Sequence, residues 1–275
     1  MCRLLAVVSS ELTDFRFSLR EAPRSMAVLS GEHPHGWGIA VHRRGAPVVV
    51  HKRPVAARDC AHFGAVAADA VGEVLVAHVR QRTVGPIGVT NTHPFQRGRW
   101  TFAHNGTIRD VDWLGERSSP ARLAELQGDT DSERFMAMLL TELDRVGASE
   151  SSDGVERAAI DAALARLTAE CRARDGFGAV NFVLTDGEVL YAHRFGRTLH
   201  LLERVKPAPA REHAESRETG ATLDMQGRGA PTRRRRAILV ASEQMTAEPW
   251  VEVAEGTLLC IDRDADLPCW RVVSA

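Results

Sequence analysis

MCRLLAVV, residues 1–8, sets a cysteine directly behind the initiator methionine and runs at once into Leu4, Leu5, Val7 and Val8. The short apolar run reads as a buried β-strand over residues 3–8. A thiol at the mouth of such a strand has two readings. It is a small buried hydrophobe, or it is a nucleophile that depends on a freed chain terminus. In the second reading, loss of Met1 exposes an α-amino group, which titrates near ~7.7–8.0. A base in that range transfers protons efficiently at working pH. The amine of Cys2 would then activate the thiol of the same residue.

Outward from this strand, residues 14–30 look helical but interrupted near Pro23, and 36–54 (GWGIAVHRRGAPVVVHKRP) read as a hairpin turning at RRGAP. A helix is expected over 58–71 and a strong strand over 73–80. WTFAHNGTI, 100–108, is expected to be a strand that breaks at Asn105-Gly106. DSERFMAMLLTELDRVG, 131–147, is amphipathic, with Phe135, Met138, Leu139 and Leu143 on one face and Asp129 or Thr130 as its cap. A second helix covers about 155–174. Strands follow near 178–185, 188–194 and 198–205, with a tight turn at Asp186-Gly187. Residues 206–236 are rich in Gly, Pro and charge and read as a loop insertion within one domain, 2–275. Strands resume at 237–241, 250–253, 257–261 and 269–273. That order suits an α+β fold of two packed antiparallel sheets flanked by helices. It does not suit a doubly wound parallel sheet.

Composition removes several function classes. Lys plus Arg (35) nearly balance Asp plus Glu (36), so no global field draws nucleic acid or an anionic membrane. The one basic run, Arg233–Arg236, ends a polar segment and reads as a solvated loop edge. Five scattered cysteines form no CxxC and no disulfide framework. Histidines at 33, 35, 42, 51, 62 and 78 lack familiar ligand spacing, so neither a metal nor another cofactor is expected. No stretch approaches a membrane span and the opening lacks a signal-peptide pattern, which favours a cytoplasmic location.

Four further segments carry chemistry. The Asn105 carboxamide and the Gly106 backbone N–H can aim two donors at one point, the requirement for an oxyanion hole. Arg80, in AHVRQRTVG, can fork onto a carboxylate. Asp131, in GDTDSE, offers the complementary charge for an ammonium. Taken singly, each has a plain structural role: an ion pair, a turn, a helix first-turn acid.

In order and spacing, MCRLLA, HGWGIAV, AHVRQRTVG, NTHPF, FAHNGTI and GDTDSE resemble the motifs of the class II glutamine amidotransferases, which are N-terminal nucleophile (Ntn) hydrolases. NFVLTDG (181–187) and VASEQMTAEPW (240–250) extend the likeness over nearly the whole chain apart from 206–236. It is strongest to compact stand-alone members, which include the γ-glutamyl hydrolase of ergothioneine biosynthesis. The resemblance implies a four-layer αββα sandwich. It implies that Cys2 attacks a glutamine γ-carboxamide, that Asn105 and Gly106 hold the oxyanion, and that Arg80 and Asp131 bind the α-carboxylate and α-ammonium. Water then hydrolyses the γ-glutamyl thioester. Thr83 and His93 fall in matching loops as pocket residues, His104 supports the oxyanion pair, and Trp37 packs near the nucleophile or in the core. Substrates implied are glutamine or a γ-glutamyl amide, with ammonia released or passed to a separate synthase subunit. The non-catalytic alternative is a scaffold that binds amino acids.

Overall fold

The computed structural model describes residues 2–148, 155–206, 235–263 and 267–273. In chain order the strands of the first half are β1 (Arg3–Asp14), β2 (Trp37–His42), β3 (Val49–Arg53), β4 (Val71–Val79), β5 (Phe95–Arg97) and β6 (Trp100–Ile108). Those of the second half are β7 (Gly178–Thr185), β8 (Val189–His193), β9 (His200–Lys206), β10 (Arg235–Ala241), β11 (Val251–Glu252), β12 (Leu258–Asp262) and β13 (Cys269–Val273). The helices are α1 (Met26–Leu29), α2 (Ala61–Ala68), α3 (Val111–Arg117), α4 (Pro120–Ala124), α5 (Asp131–Arg145) and α6 (Arg157–Ala173). Seven strands form one antiparallel sheet in the order β11-β9-β10-β1-β4-β2-β3, and six form another, β13-β12-β8-β7-β6-β5.

Strand β1 shows why the layers stack as they do. Successive strand residues point to opposite faces. Leu4, Ala6 and Val8 enter an apolar core shared with Ala103, Val183 and Leu190 of the second sheet. Leu5 and Val7 enter a different core with Leu19, Met26 and Phe63 of the helical layer outside the first sheet. A third core joins the outer face of the second sheet to the main helices, through Phe102, Phe182, Phe135 and Leu164. Three cores between four layers give the αββα sandwich. They also explain why β1 reads as an unbroken apolar run: both of its faces are covered.

The 14–30 segment is not an interrupted helix. β1 continues to Asp14 with a register shift between Val8 and Thr13, and a π turn (Phe17–Glu21) precedes the single turn α1. Hydroxyls make the extension possible, since Ser9 donates to the carbonyls of Glu11 and Glu73 and Thr13 donates to Glu11. β6 does not break at Asn105-Gly106; both residues stay in register with β7, opposite Asn181 and Val180. The expected insertion is shorter at both ends. Lys206 closes β9, and Arg235 and Arg236 belong to β10, where they pair with Glu11 and Glu203 rather than edging a loop. The rest of that insertion, and Met1, lie outside the described residues. No helix among the described residues is long and apolar enough to cross a membrane.

Candidate functional site

The start of β1, the end of β4, the end of β6 and the start of α5 meet at one end of the sandwich. Arg3 pairs with Val79 in the first sheet, and His78 reaches across to the second through a 3.2 Å bond between its Nε2 and the His104 carbonyl. Cys2 therefore stands beside the residues that follow β4. Its sulfur accepts the Gln81 backbone N–H at 3.3 Å and lies 3.4 Å from the Gln81 carbonyl oxygen. Burial pushes the thiol pKa up; the Gln81 N–H and the charge of Arg80 act against that. The strand mouth is anchored from behind. The Leu4 N–H donates to Ser242 Oγ at 3.0 Å, the Ser242 N–H to the Leu4 carbonyl at 2.9 Å, and Arg3 pairs with Glu243.

The oxyanion candidates follow from strand alternation. Residues 104, 106 and 108 turn their backbone groups toward the edge of β6 that the short β5 leaves uncovered. The His104 carbonyl there is taken by His78, and the Ile108 N–H donates to Asp131 Oδ2 at 2.6 Å. Between them the Gly106 N–H faces the same edge. A Cβ on Gly106 would sit 2.0 Å from the Ala179 carbonyl oxygen and 2.5 Å from His104 Nε2. Only glycine fits, for reasons of space rather than turn conformation. The Asn105 carboxamide makes no hydrogen bond among the described residues, and Asn105 lines a cleft beside the site.

Asp131 is the first residue of α5, whose cap is Thr130: the Thr130 hydroxyl accepts the Glu133 N–H. The carboxylate is buried at the positive end of the helix, with one oxygen on Ile108 and the other open. Arg80 is also buried, and its Nη atoms donate to the carbonyls of Val84 (2.8 Å) and Pro86 (3.0 Å). That leaves Nε–H and one Nη1 hydrogen unengaged among the described residues. Thr83 is exposed, its hydroxyl 3.3 Å from that of Thr107. Together these groups can hold a carboxylate, an ammonium and a developing oxyanion around one sulfur.

His93, expected as a pocket residue, and Trp37, expected near the nucleophile or in the core, both sit deep. His93 is buried without a hydrogen-bond partner, its ring 4.4 Å from both His78 and Phe95, and burial holds it neutral. It forms the floor beneath the loop rather than its rim. Trp37 lies in the helical-layer core, edge-on to Phe63 at 5.0 Å. The glycines around it serve the site instead: a Cβ on Gly38 would fall 2.0 Å from the His93 carbonyl oxygen, and one on Gly36 would fall 2.9 Å from Thr92 Oγ1. His104 accepts from Ser132 Oγ at Nδ1 and donates to the Ala179 carbonyl at Nε2, both at 2.9 Å, the roles its neighbours impose. Burial lowers its pKa, and with both ring nitrogens engaged it braces β6 against β7 and α5. Gln81, Asn91, Asn181 and Ser242 were not identified from the sequence. Each acts through backbone contacts between distant segments, which no local pattern records.

Comparison with known proteins gives the family and the fold. The family model for class II glutamine amidotransferases matches residues 1–271. YafJ of Escherichia coli (strain K12), named as a candidate glutamine amidotransferase, is 30% identical over 218 residues, covering 75% of this chain and 78% of its own. Among solved structures, a glutamine amidotransferase named as such by prediction, from Pseudomonas aeruginosa, superposes with a TM-score of 0.60 at 22% identity over 100% of both chains. Glutamine phosphoribosylpyrophosphate amidotransferase of B. subtilis gives 0.59 at 18% identity, over 99% of this chain and 49% of its own. The fold is thus that of the Ntn hydrolases, and the chain belongs to the class II glutamine amidotransferases.

Proposed function

We propose that the protein hydrolyses the γ-amide of glutamine or of a γ-glutamyl compound through a thioester on Cys2. The observation that carries this reading is the convergence of Cys2, Arg80, Asn105-Gly106 and Asp131, from four separated segments, at one end of the sandwich. Met1 is removed, and the freed α-amine takes the thiol proton. The sulfur attacks the γ-carbonyl carbon; its oxygen, now negative, accepts from the Asn105 amide and the Gly106 N–H. The C–N bond breaks as the amine returns the proton to the leaving nitrogen. Water then adds to the thioester, releasing glutamate and restoring the thiol. Arg80 and Asp131 hold the α-carboxylate and α-ammonium, which fixes the γ-carbon over the sulfur.

The raised thiol pKa fits this division of labour: sulfur keeps its proton until a base takes it. Intact mass is expected to show loss of Met1 and addition of one glutamine-like diazoketone, at Cys2. Cys2→Ala is expected to release no glutamate while keeping its melting temperature within a few degrees. Glutamate release by Cys2→Ala at the wild-type rate sinks the reading.

A further inference from the structure

His33 lies in the loop that follows α1 and enters β2, and the proposed reaction leaves it idle. Its side chain is 4% exposed, yet neither ring nitrogen has a hydrogen-bond partner among the described residues. Glu32, exposed, stands 4.0 Å from its Nε2, beyond hydrogen-bond reach. Burial first, and then the charge of Arg3, lower the ring to about 4, so it is neutral in the working range. A neutral imidazole carries one donor nitrogen and one acceptor nitrogen. Buried polar groups are almost always bonded, and an unbonded one weakens the fold. As a support for the fold alone His33 is therefore a poor choice, since an apolar side chain would fill the space better.

The loop that carries it is fixed against the residues that hold the nucleophile. In the first sheet β4 lies between β1 and β2, with Val79 opposite Arg3 on one side and Trp37 on the other. One residue further, the Arg80 N–H donates to the Gly36 carbonyl at 2.8 Å and the His35 N–H to the Arg80 carbonyl at 3.0 Å. The Arg82 N–H donates to His35 Nδ1 at 3.1 Å. Gln81, between these two arginines, holds the Cys2 sulfur. Cys2 and the His33 loop therefore flank the same three residues, 80–82. The groups whose charge reaches His33 are Arg3, the chain's amino terminus and Glu243, which sets the ring beside the start of β1.

What His33 lacks is a donor, and removal of Met1 creates one at this end of the chain. We propose that the acceptor nitrogen of His33 takes a hydrogen bond from the freed α-amine of Cys2, and so aims the lone pair of that amine at the thiol. His33 is then a positioning residue that acts through the amine. No proton moves to the imidazole. The amine takes the thiol proton, keeps one N–H on His33 throughout, and passes the thiol proton to the leaving nitrogen. This rests on the thioester reading above.

The test uses processed protein, with Met1 loss confirmed by intact mass, and two variants. His33→Leu removes the acceptor and His33→Gln keeps one. A bonded acceptor favours the ammonium form. His33→Leu is therefore expected to move the rising limb of the kcat/KM profile on glutamine down by about one pH unit, the size of one charge-assisted hydrogen bond. It is expected to lower kcat about tenfold with KM within about twofold, and to melt no lower than the wild type. His33→Gln is expected to recover much of the profile and of kcat. The charged groups around Cys2 and His33 are Arg3 on β1, Arg80 beyond β4, Asp131 on α5, Glu32 on the same loop, and Glu243, which Arg24 also holds. All of them stay in place in both variants. A lower melting temperature in His33→Leu with an unmoved pH profile shows a structural histidine and overturns the proposal. Trace labelling with acetic anhydride, read at the N-terminal peptide of Cys2→Ala with and without His33→Leu, follows the amine without turnover. A titration lowered by His33→Leu, in a protein whose wild type releases no glutamate, keeps the contact and removes the thioester. An unchanged titration, with Cys2-dependent glutamate release in the wild type, removes the contact and keeps the thioester.

Discussion

Cys2 lies where its sulfur is screened from water and receives a single backbone donor, so its thiol holds its proton beyond the ordinary range. The proposed reaction then requires a base, and in that reading the α-amine of the same residue supplies it. When an N-terminal extension keeps that amine in a peptide bond, iodoacetamide labelling of Cys2, followed by peptide mass, is expected to keep accelerating above pH 9, since the thiol is raised from 9.0. A plateau near neutrality shows instead a preformed thiolate. In the processed protein the pH profile of kcat/KM is expected to rise with an apparent pKa near ~8, that of an α-amine. Asn105 offers a different test. Its amide is unengaged in the resting site, so Asn105→Ala is expected to leave stability nearly unchanged while lowering kcat by roughly 10²–10³-fold. A KM effect with kcat intact contradicts the oxyanion role.

At the scale of elements, the loop between β4 and β5 is shaped by residues that never meet substrate. Asn91, buried, donates to the Pro86 carbonyl at 3.2 Å and accepts the Asp129 N–H at 2.8 Å. It thereby ties the loop held by Arg80 to the chain entering α5, and so sets the distance between Arg80 and Asp131, the two groups proposed to hold the α-carbon. Asn91→Ala removes both hydrogen bonds, a cost of roughly 1 kcal/mol each, since Pro86 and Asp129 are exposed and water can replace part of what is lost. It is expected to lower the melting temperature and raise KM more than it lowers kcat; an unchanged KM shows that the loop is positioned by other contacts. What the sequence made legible at this scale follows the range of the interaction. The Phe135, Met138, Leu139 and Leu143 stripe and the Thr130 cap are local, and α5 forms where they place it. The β2–β3 hairpin is equally local. SSELTD looked non-strand because its bulge is satisfied by Ser9 and Thr13 hydroxyls, and Asn105-Gly106 looked like a turn because the space filled by Ala179 cannot be read from neighbours. Cys2, Arg80, Asn105 and Asp131 stood out as residue types; the clamps of Asn91 and Asn181 did not, since their partners lie in distant loops.

The whole molecule carries an unusual load of neutral imidazole where the two sheets and the helices close on one another. His78 is lowered to about 3, and His42 and His193 to about 4, in each case first by burial. Each is bonded: His42 Nε2 to the Thr101 hydroxyl at 3.1 Å, His78 Nε2 to the His104 carbonyl at 3.2 Å, and His193 Nδ1 to the Val180 carbonyl at 2.7 Å. The first two contacts cross from one sheet to the other and the third lies within the second sheet, so the packing between the layers depends on uncharged rings. In the unfolded chain the same histidines titrate near ~6.5. Below that pH the unfolded state binds protons that the folded state refuses, so stability is whole above about 6.5 and drains as pH falls toward the folded values. Each ring can contribute up to about 1.4 kcal/mol per pH unit in that window. Urea unfolding is therefore expected to show a steep loss of stability between pH 6.5 and about pH 4. His42→Asn, which can still meet Thr101, is expected to flatten that slope. A stability profile that is level from pH 7 to pH 5 in the wild type contradicts the buried neutral rings, because rings held neutral in the fold must take up protons on unfolding in that window.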